Sequence, residues 1–350
     1  MRSLSASRWA LAFAAVAATT ALVVGLTDDD SANGGKRVAA PGWSKQPASP
    51  LSRSEVGGAR IGDQIYVAGG FISGAGETTN QVARYDISDR TWELAPPMPI
   101  AVNHPAVASL GGQLYVHGGY ASEAGLSGEI DALQRFDPAS GHWTELAPSG
   151  FPRAAHVLVP ARGTLWAIGG AHEGGKALGL VQVFDPASGT WSAGPQMPTA
   201  REHLAAAAVG PQIYVLGGRI SSGNVAAAER LDTRKGRWKK IRKLRTPRSG
   251  FGAAAVGKSV VAIGGEELDP GGTTIAPVEV YDTRSKGKRK RWRKLPRMIT
   301  PRHGLAVVGA GRRIFALEGG PQPALTFSPA NEMLLLPARE PRPKLPPKNG

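Results

Sequence analysis

An all-β ring of six four-stranded units, a six-bladed β-propeller, is the fold class that this 350-residue sequence predicts. Three recurrences predict it. Trp43, Trp92, Trp143, Trp191, Trp238 and Trp292 are spaced by 49, 51, 48, 47 and 54 residues. Gly-Gly pairs end at Gly70, Gly119, Gly170, Gly218, Gly265 and Gly320. Ten residues after each Trp come Arg53, Val102, Arg153, Arg201, Arg248 and Arg302, and the distance from there to the second glycine is 17 residues in five units and 18 in the last. A fixed period of this length is the signature of a repeat architecture, and an all-β ring can run this long as one domain.

The first element is an address. Arg2 and Arg8 precede an uncharged run from Trp9 to Leu26, and Asp28, Asp29 and Asp30 follow it. Positive charge before an apolar run and acid after it directs export of what lies downstream. The run of 18 residues stands at the lower limit of a membrane span, and Val23-Val24-Gly25 offers a cleavage site. Residues 1–26 therefore read as a signal peptide or a signal anchor, with a periplasmic or extracellular location for the rest. In the anchored case residues 9–26 hold it to the membrane. Residues 27–42 read as a polar linker, 43–336 as the propeller, and the Pro- and base-rich 337–350 as a disordered tail.

Each unit, starting near residues 53, 102, 153, 201, 248 and 302, reads as four short strands. Small apolar residues such as Ala205 to Val209 come first, suited to a strand crowded near an axis. A β-branched and aromatic run such as Ile213-Tyr214-Val215 follows and ends at Gly-Gly, where glycine permits close approach of a neighbouring chain. An alternating segment such as Val181 to Asp185 is third, and the fourth strand carries the Trp. Period-2 alternation with Gly, Pro and Asp punctuation supports the strands. The sixth unit is degraded: Phe327-Ser328 stands where an aromatic-Asp pair is expected, and no Trp follows it. Trp43, ahead of the first unit, is expected to supply the missing outer strand and so close the ring, with Leu334-Leu335-Leu336 as the competitor for that place.

The Gly-Gly pairs, the Tyr85-Asp86, Phe136-Asp137, Phe184-Asp185 and Tyr281-Asp282 pairs and the spaced Trp set resemble the Kelch-repeat family over residues 43–334, as a bacterial exported member. Leu231-Asp232 and Val102 depart from the pattern. The resemblance implies a binding or interaction module that holds a protein, peptide or glycan ligand with the loops at one mouth of the ring. It leaves open a carbohydrate-processing enzyme similar to the sialic-acid mutarotases. Galactose-oxidase-like chemistry needs a cysteine, and the chain has none, which also excludes disulfides and thiolate sites.

The arginine register supplies the candidate ligand-binding residues. Arg53, Arg153, Arg201, Arg248 and Arg302 precede the innermost strands, and repetition would bring their guanidinium forks to one mouth, where they suit carboxylate or phosphate. The alternative is that each serves its own blade by bonding backbone carbonyls or a nearby acid. His104 and His203 lie two positions beyond that register and join the ligand-binding set, with His156 and His303 nearby. Glu55 fills the same place in the first unit. Glu55, His104 and His203 are the proton-moving residues if the protein is an enzyme. Neither a metal nor any other cofactor is expected, because histidine packed at a strand start is the commoner role. The ligand is expected to be acidic, nucleic acid is not expected as a partner, and the chain is expected to be a monomer.

The net charge of +15 is lopsided: residues 230–313 hold 23 Lys and Arg against 6 Asp and Glu. The basic residues cluster at Lys239, Lys240, Arg242, Lys243 and Arg245 and at Lys288, Arg289, Lys290 and Arg291. They form a candidate patch for an anionic envelope surface, or charges that block edge-to-edge sheet pairing.

Overall fold

The computed structural model describes residues 41–72, 75–267, 271–285, 287 and 291–337. The signal or anchor segment, the linker up to residue 40, the tail from residue 338, and Lys288, Arg289 and Lys290 lie outside the described residues. Among the described residues the regular elements are strands, and six four-stranded antiparallel sheets account for all but two short hairpins. Blade one is Gly57–Ile61, Gln64–Ala68, Val82–Asp86 and Trp92–Ala95. Blade two is Ala106–Leu110, Gln113–His117, Leu133–Asp137 and His142–Leu146. Blade three is Val157–Ala161, Thr164–Ile168, Val181–Asp185 and Thr190–Ala193. Blade four is Ala205–Val209, Gln212–Leu216, Ala228–Asp232 and Arg237–Lys240. Blade five is Gly252–Val256, Ser259–Ile263, Val278–Asp282 and Arg293–Leu295. Blade six is Ala306–Ala310, Arg313–Leu317 and Asn331–Leu335, completed by Gly42–Lys45.

The closing strand is the one that Trp43 marks. It pairs antiparallel with Asn331–Leu335, Trp43 opposite Leu334. Trp92 stands in the same way opposite Tyr85, Trp143 opposite Phe136 and Trp191 opposite Phe184. Leu334 therefore holds the aromatic place of blade six and Leu335 the Asp place, on the third strand rather than the outer one. Phe327-Ser328 lies ahead of that strand, so the expected register of the third strand was wrong by seven residues. A second slip disappears with it. Glu318 and Gly319, with φ of 55° and 96°, repeat the geometry of Gly69 and Gly70 at 68° and 98°. The spacing from Arg302 is thus 17 here too, and Gly320 is the residue after the pair, bridged to His303.

Two rings of hydrogen bonds join the blades. In the outer ring each Trp indole N–H donates to a carbonyl of the segment four residues beyond the preceding Trp. Trp92 donates to Pro47, Trp143 to Pro96, Trp191 to Ala147, Trp238 to Pro195, Trp292 to Arg242 and Trp43 to Pro296, all at 2.7–2.9 Å. In the middle ring the N–H of each second glycine donates to the carbonyl of the arginine-register residue of the next blade. Gly70 donates to Val102, Gly119 to Arg153, Gly170 to Arg201, Gly218 to Arg248, Gly265 to Arg302 and Gly319 to Arg53. A Cβ on the glycine before it would come within 2.4 Å of that carbonyl at Gly69 and Gly118, which is why the pair is glycine. Apolar side chains fill the space between sheets, as where Val67, Tyr85 and Phe315 pack at the seam of blades one and six.

Two buried histidines couple this fold to pH. His117 Nδ1 lies 2.7 Å from His156 Nε2, and the His117 ring stacks on Trp191. Burial, then the nearby Arg153 charge, pushes His117 down to about 3, and burial holds His156 well below its ordinary range. Both stay neutral when folded, whereas the unfolded chain protonates them near pH 6.5. Their contribution is therefore fully present above pH 6.5 and is lost as pH falls towards 3. Melting temperature should drop between pH 7 and pH 5, and His117→Phe should make that drop shallower; an unchanged slope would count against the coupling. Trp43→Ala should lower stability by about 2–3 kcal/mol, through lost packing and one lost hydrogen bond, in guanidinium unfolding. A variant as stable as the parent would show that this strand does not hold the seam.

Candidate functional site

A third ring, the innermost, forms one mouth of the axial channel. Glu55, His104, Ala155, His203, Gly250 and Gly304 occupy one register, and all six have φ between 49° and 59°. His104 N–H donates to Glu55 O, Ala155 to His104, His203 to Ala155, Gly250 to His203 and Gly304 to Gly250; Val56 N–H donates to Gly304 O and closes the circle. Left-handed backbone favours glycine and costs other residues about 1 kcal/mol or more. Two blades use glycine here, but three hold Glu55, His104 and His203, whose side chains gather beside the axis.

These three are joined by His303, Glu266, Glu202 and Arg219. His104 Nε2 is 3.2 Å from Glu55 Oε2, and His303 Nε2 is 3.5 Å from Glu55 Oε1 and 3.7 Å from Glu266 Oε2. The His104 and His203 rings meet edge to face at 4.8 Å. The Glu202 carboxylate accepts from both His203 Nδ1 and Arg219 Nε. Burial alone would raise the Glu55 carboxyl; His104, His303, His203 and Arg219 outweigh it and bring it down to about 2. Burial pushes His104 down to about 3 against the pull of Glu55, and burial raises Glu266. Donor atoms of Glu55, His104 and His203 lie within 4.8 Å of one another, a spacing open to a metal ion. Above the cluster is a cavity of about 270 Å³ walled by Phe71, Leu126, Ala324 and Leu325. Leu126 and Leu325 are 56% and 45% exposed.

The arginine register does not reach this mouth. Arg53, Arg153, Arg201, Arg248 and Arg302 are all fully buried, and each is fastened inside the ring. Arg53 donates to the carbonyls of Gly69, Gln81 and Val67, and Arg248 to those of Gly264 and Pro277. An acid two positions before the aromatic place supplies the counter-charge: Glu229 for Arg201 at 2.7 Å, Glu279 for Arg248 at 2.9 Å and Glu332 for Arg302 at 3.4 Å. Arg153 meets the neutral Gln182 instead, and burial lowers it to about 10, which leaves it charged. Blade one has Ala83 at the acid position, and Glu318 reaches across the seam to bond Arg53 at 2.7 Å. Blade two lacks the arginine, and its Gln134 bonds the Ile100 backbone. The expectation that these guanidiniums receive a ligand at the mouth does not fit their placement: all five are buried, and each donates to at least one backbone carbonyl.

The structure thus brings together Glu55, His104 and His203 and keeps the five arginines away from them. Sequence reasoning passed over Glu202, Arg219 and Glu266 and did not commit to His303. The residue after each Gly-Gly pair bridges the residue after the arginine place, as in Glu202 with Arg219, Ser249 with Glu266 and His303 with Gly320. Those two registers were readable in the repeat. The basic patch is exposed where described: Lys239, Lys240, Arg242, Lys243, Arg245 and Arg291 all face outward on or beside the outermost strands of blades four and five.

Arg201→Val should destabilise the protein by about 3–5 kcal/mol, because Glu229 is left buried without its counter-charge. Adding Glu229→Gln recreates the Val102 and Gln134 pairing of blade two and should recover roughly 2 kcal/mol. Strict additivity in chemical unfolding would contradict the coupling.

Comparison with known proteins gives one family and one fold. The model of the KLHDC2/KLHL20/DRC7 Kelch-repeats domain matches residues 57–196 and 103–320. Kelch-like protein 35 of Mus musculus is 34% identical over 92 residues, 26% of this chain and 16% of that protein. Kelch domain-containing protein 8B of Homo sapiens is 35% identical over 108 residues, 30% of each. The chain thus spans less than a third of the length of these relatives. The solved structure of YjhT matches with a TM-score of 0.70 at 17% identity, over 81% of this chain and 95% of that one, a likeness of fold.

Proposed function

The chain belongs to the Kelch-repeat family, and from that premise we propose that it is a recognition module whose loop-end pocket receives an apolar side chain of a protein partner. Kelch propellers generally bind protein partners. The observation that carries the reading is the cavity of about 270 Å³ at this mouth, with exposed Leu126 and Leu325 at its wall and a buried polar cluster below. Large apolar side chains exposed together around a concavity favour a partner over solvent. The acidic ligand expected from the arginine register loses its basis, because those guanidiniums are buried. In their place the pocket presents Glu55 and Glu266 against Arg219. Export remains part of this reading through the charges flanking residues 9–26, and so does an anionic envelope surface for the exposed lysines and arginines of blades four and five.

Selection of displayed peptides on the purified protein tests it. Selected peptides should carry an apolar anchor and lose at least about tenfold in affinity for Leu126→Asp/Leu325→Asp, the size of effect of desolvated anchor residues. They should bind Lys239→Glu/Lys243→Glu normally, while that variant loses sedimentation with anionic vesicles. Peptides that bind the leucine variant undiminished would sink the pocket.

A further inference from the structure

We infer that the inner ring carries a site for a divalent first-row transition ion, Zn²⁺ first among them, with Glu55, His104, His203 and His303 as its protein ligands. This goes beyond the partner reading, since ion binding stands or fails without any peptide. It also departs from the sequence expectation of no metal. That expectation rested on strand-start packing as the commoner role of histidine; in the structure the donor atoms of Glu55, His104 and His203 gather within 4.8 Å, and His303, one position away in register, meets Glu55 as well.

Orientation of the rings is the first argument. Each imidazole has its Nδ1 tied to an oxygen. His104 Nδ1 faces Asn103 Oδ1 at 2.7 Å, and the Asn103 amide is held that way round because its NH₂ donates to Thr78 Oγ1 and Gly125 O. His203 Nδ1 bonds the Glu202 carboxylate, itself bonded by Arg219, and His303 Nδ1 faces Gly320 O at 3.1 Å. A metal-binding histidine donates its other ring N–H to a carboxylate, carbonyl or amide oxygen in this way, which fixes the tautomer and aims the lone pair.

With Nδ1 carrying the proton, the Nε2 lone pairs of His104 and His303 both turn to the Glu55 carboxylate, at 3.2 and 3.5 Å. Acceptor then meets acceptor, and a cation between them converts the repulsion into coordination. Donors about 2.0–2.1 Å from a tetrahedral zinc lie roughly 3.3 Å from one another. The two separations from Glu55 already match, and the His203 donor, within 4.8 Å of those of Glu55 and His104, has at most roughly 1.5 Å to close on them. Arg219 competes for His203, at 3.4 Å from Nε2, but its bond to Glu202 lies on the other side of that ring.

The backbone gives an independent argument. Glu55, His104 and His203 hold left-handed φ of 53°, 53° and 49° at places where Gly250 and Gly304 show that glycine serves the ring. Four of the six equivalent positions keep this strain; Ala155 is one, and the other three are the metal-ligating types whose donor atoms gather at the axis. Imidazole and carboxylate together suit Zn²⁺ and its neighbours rather than Ca²⁺ or Mg²⁺.

The test uses the full chain, stripped with chelator, titrated with Co²⁺ and then Zn²⁺. One equivalent of Co²⁺ should give visible absorption of a four- or five-coordinate site, Zn²⁺ should abolish it, and Zn²⁺ should raise the melting temperature. Glu55→Gln and His303→Gln, each checked for native circular dichroism, should weaken Zn²⁺ binding by at least about tenfold. His172→Gln, outside the cluster, should leave it unchanged. Folded parent protein with no visible band and no thermal shift overturns the site, as does parental affinity in both ligand variants or an equal loss in His172→Gln. If a ligand variant does not fold, the parent spectrum decides alone: displacement of the band by Zn²⁺ supports the site, and its absence overturns it.

Discussion

The bond on which the ring depends runs from the N–H of a second glycine to the carbonyl of the arginine-register residue in the next blade, made six times and closed from Gly319 to Arg53. In five of the six that carbonyl belongs to an arginine whose side chain bonds backbone carbonyls of its own blade, so one residue ties two sheets. The guanidinium matters because buried carbonyls at the end of the second strand and the start of the third face it, such as those of Gly264 and Pro277. Unpaired, each would cost about 1–3 kcal/mol, and a planar donor with several N–H groups satisfies them together. A charge so deeply buried favours a counter-charge, and in blades four, five and six an acid two residues before the aromatic place supplies it. Where valine replaces arginine in blade two, glutamine replaces the acid.

Much of this was legible. Tryptophan and glycine spacing gave six blades, and the unpaired Trp43 gave the closure, because each is a periodic demand made by one kind of packing. What the spacing does not carry is direction. Arg201 and His203 are two residues apart; one turns into its blade and the other to the axis, and both look equally exposed in a list of loop residues. The sixth blade was misread for a related reason. Leu334 fills an aromatic place and Glu318 a glycine place, so chemical identity pointed to Phe327 and Gly320 when only pairing register reveals the true equivalents. Glu318 sits at the seam with blade one, where it answers to Arg53 in place of the acid that blade one lacks, and Leu334 packs against blade five.

The inner ring shows how a repeat makes a site without a dedicated domain. Its six backbone bonds ask only for left-handed φ, which glycine meets at no steric cost. Side chains at that register therefore contribute nothing the ring requires and are free to serve something else. Blades one, two and four place a carboxylate and two imidazoles there, and neighbouring registers add His303, Glu202 and Glu266. The asymmetry around an otherwise sixfold mouth sets this end apart from the small-residue channel below it.

The strand from Gly42 to Lys45 pairs with residues 331–335, almost the whole length of the propeller away in sequence. On the ribosome this strand emerges before any blade and waits for its partner until the last one has been made. Five sheets can form in turn from contacts local to each repeat, but the sixth cannot, and neither can the three hydrogen-bonded circles that run through it. Contacts of such sequence separation close slowly and leave apolar edges bare meanwhile. The completed ring is therefore gained in one late step, and a nascent chain holding blades one to five is the species with its apolar edges bare.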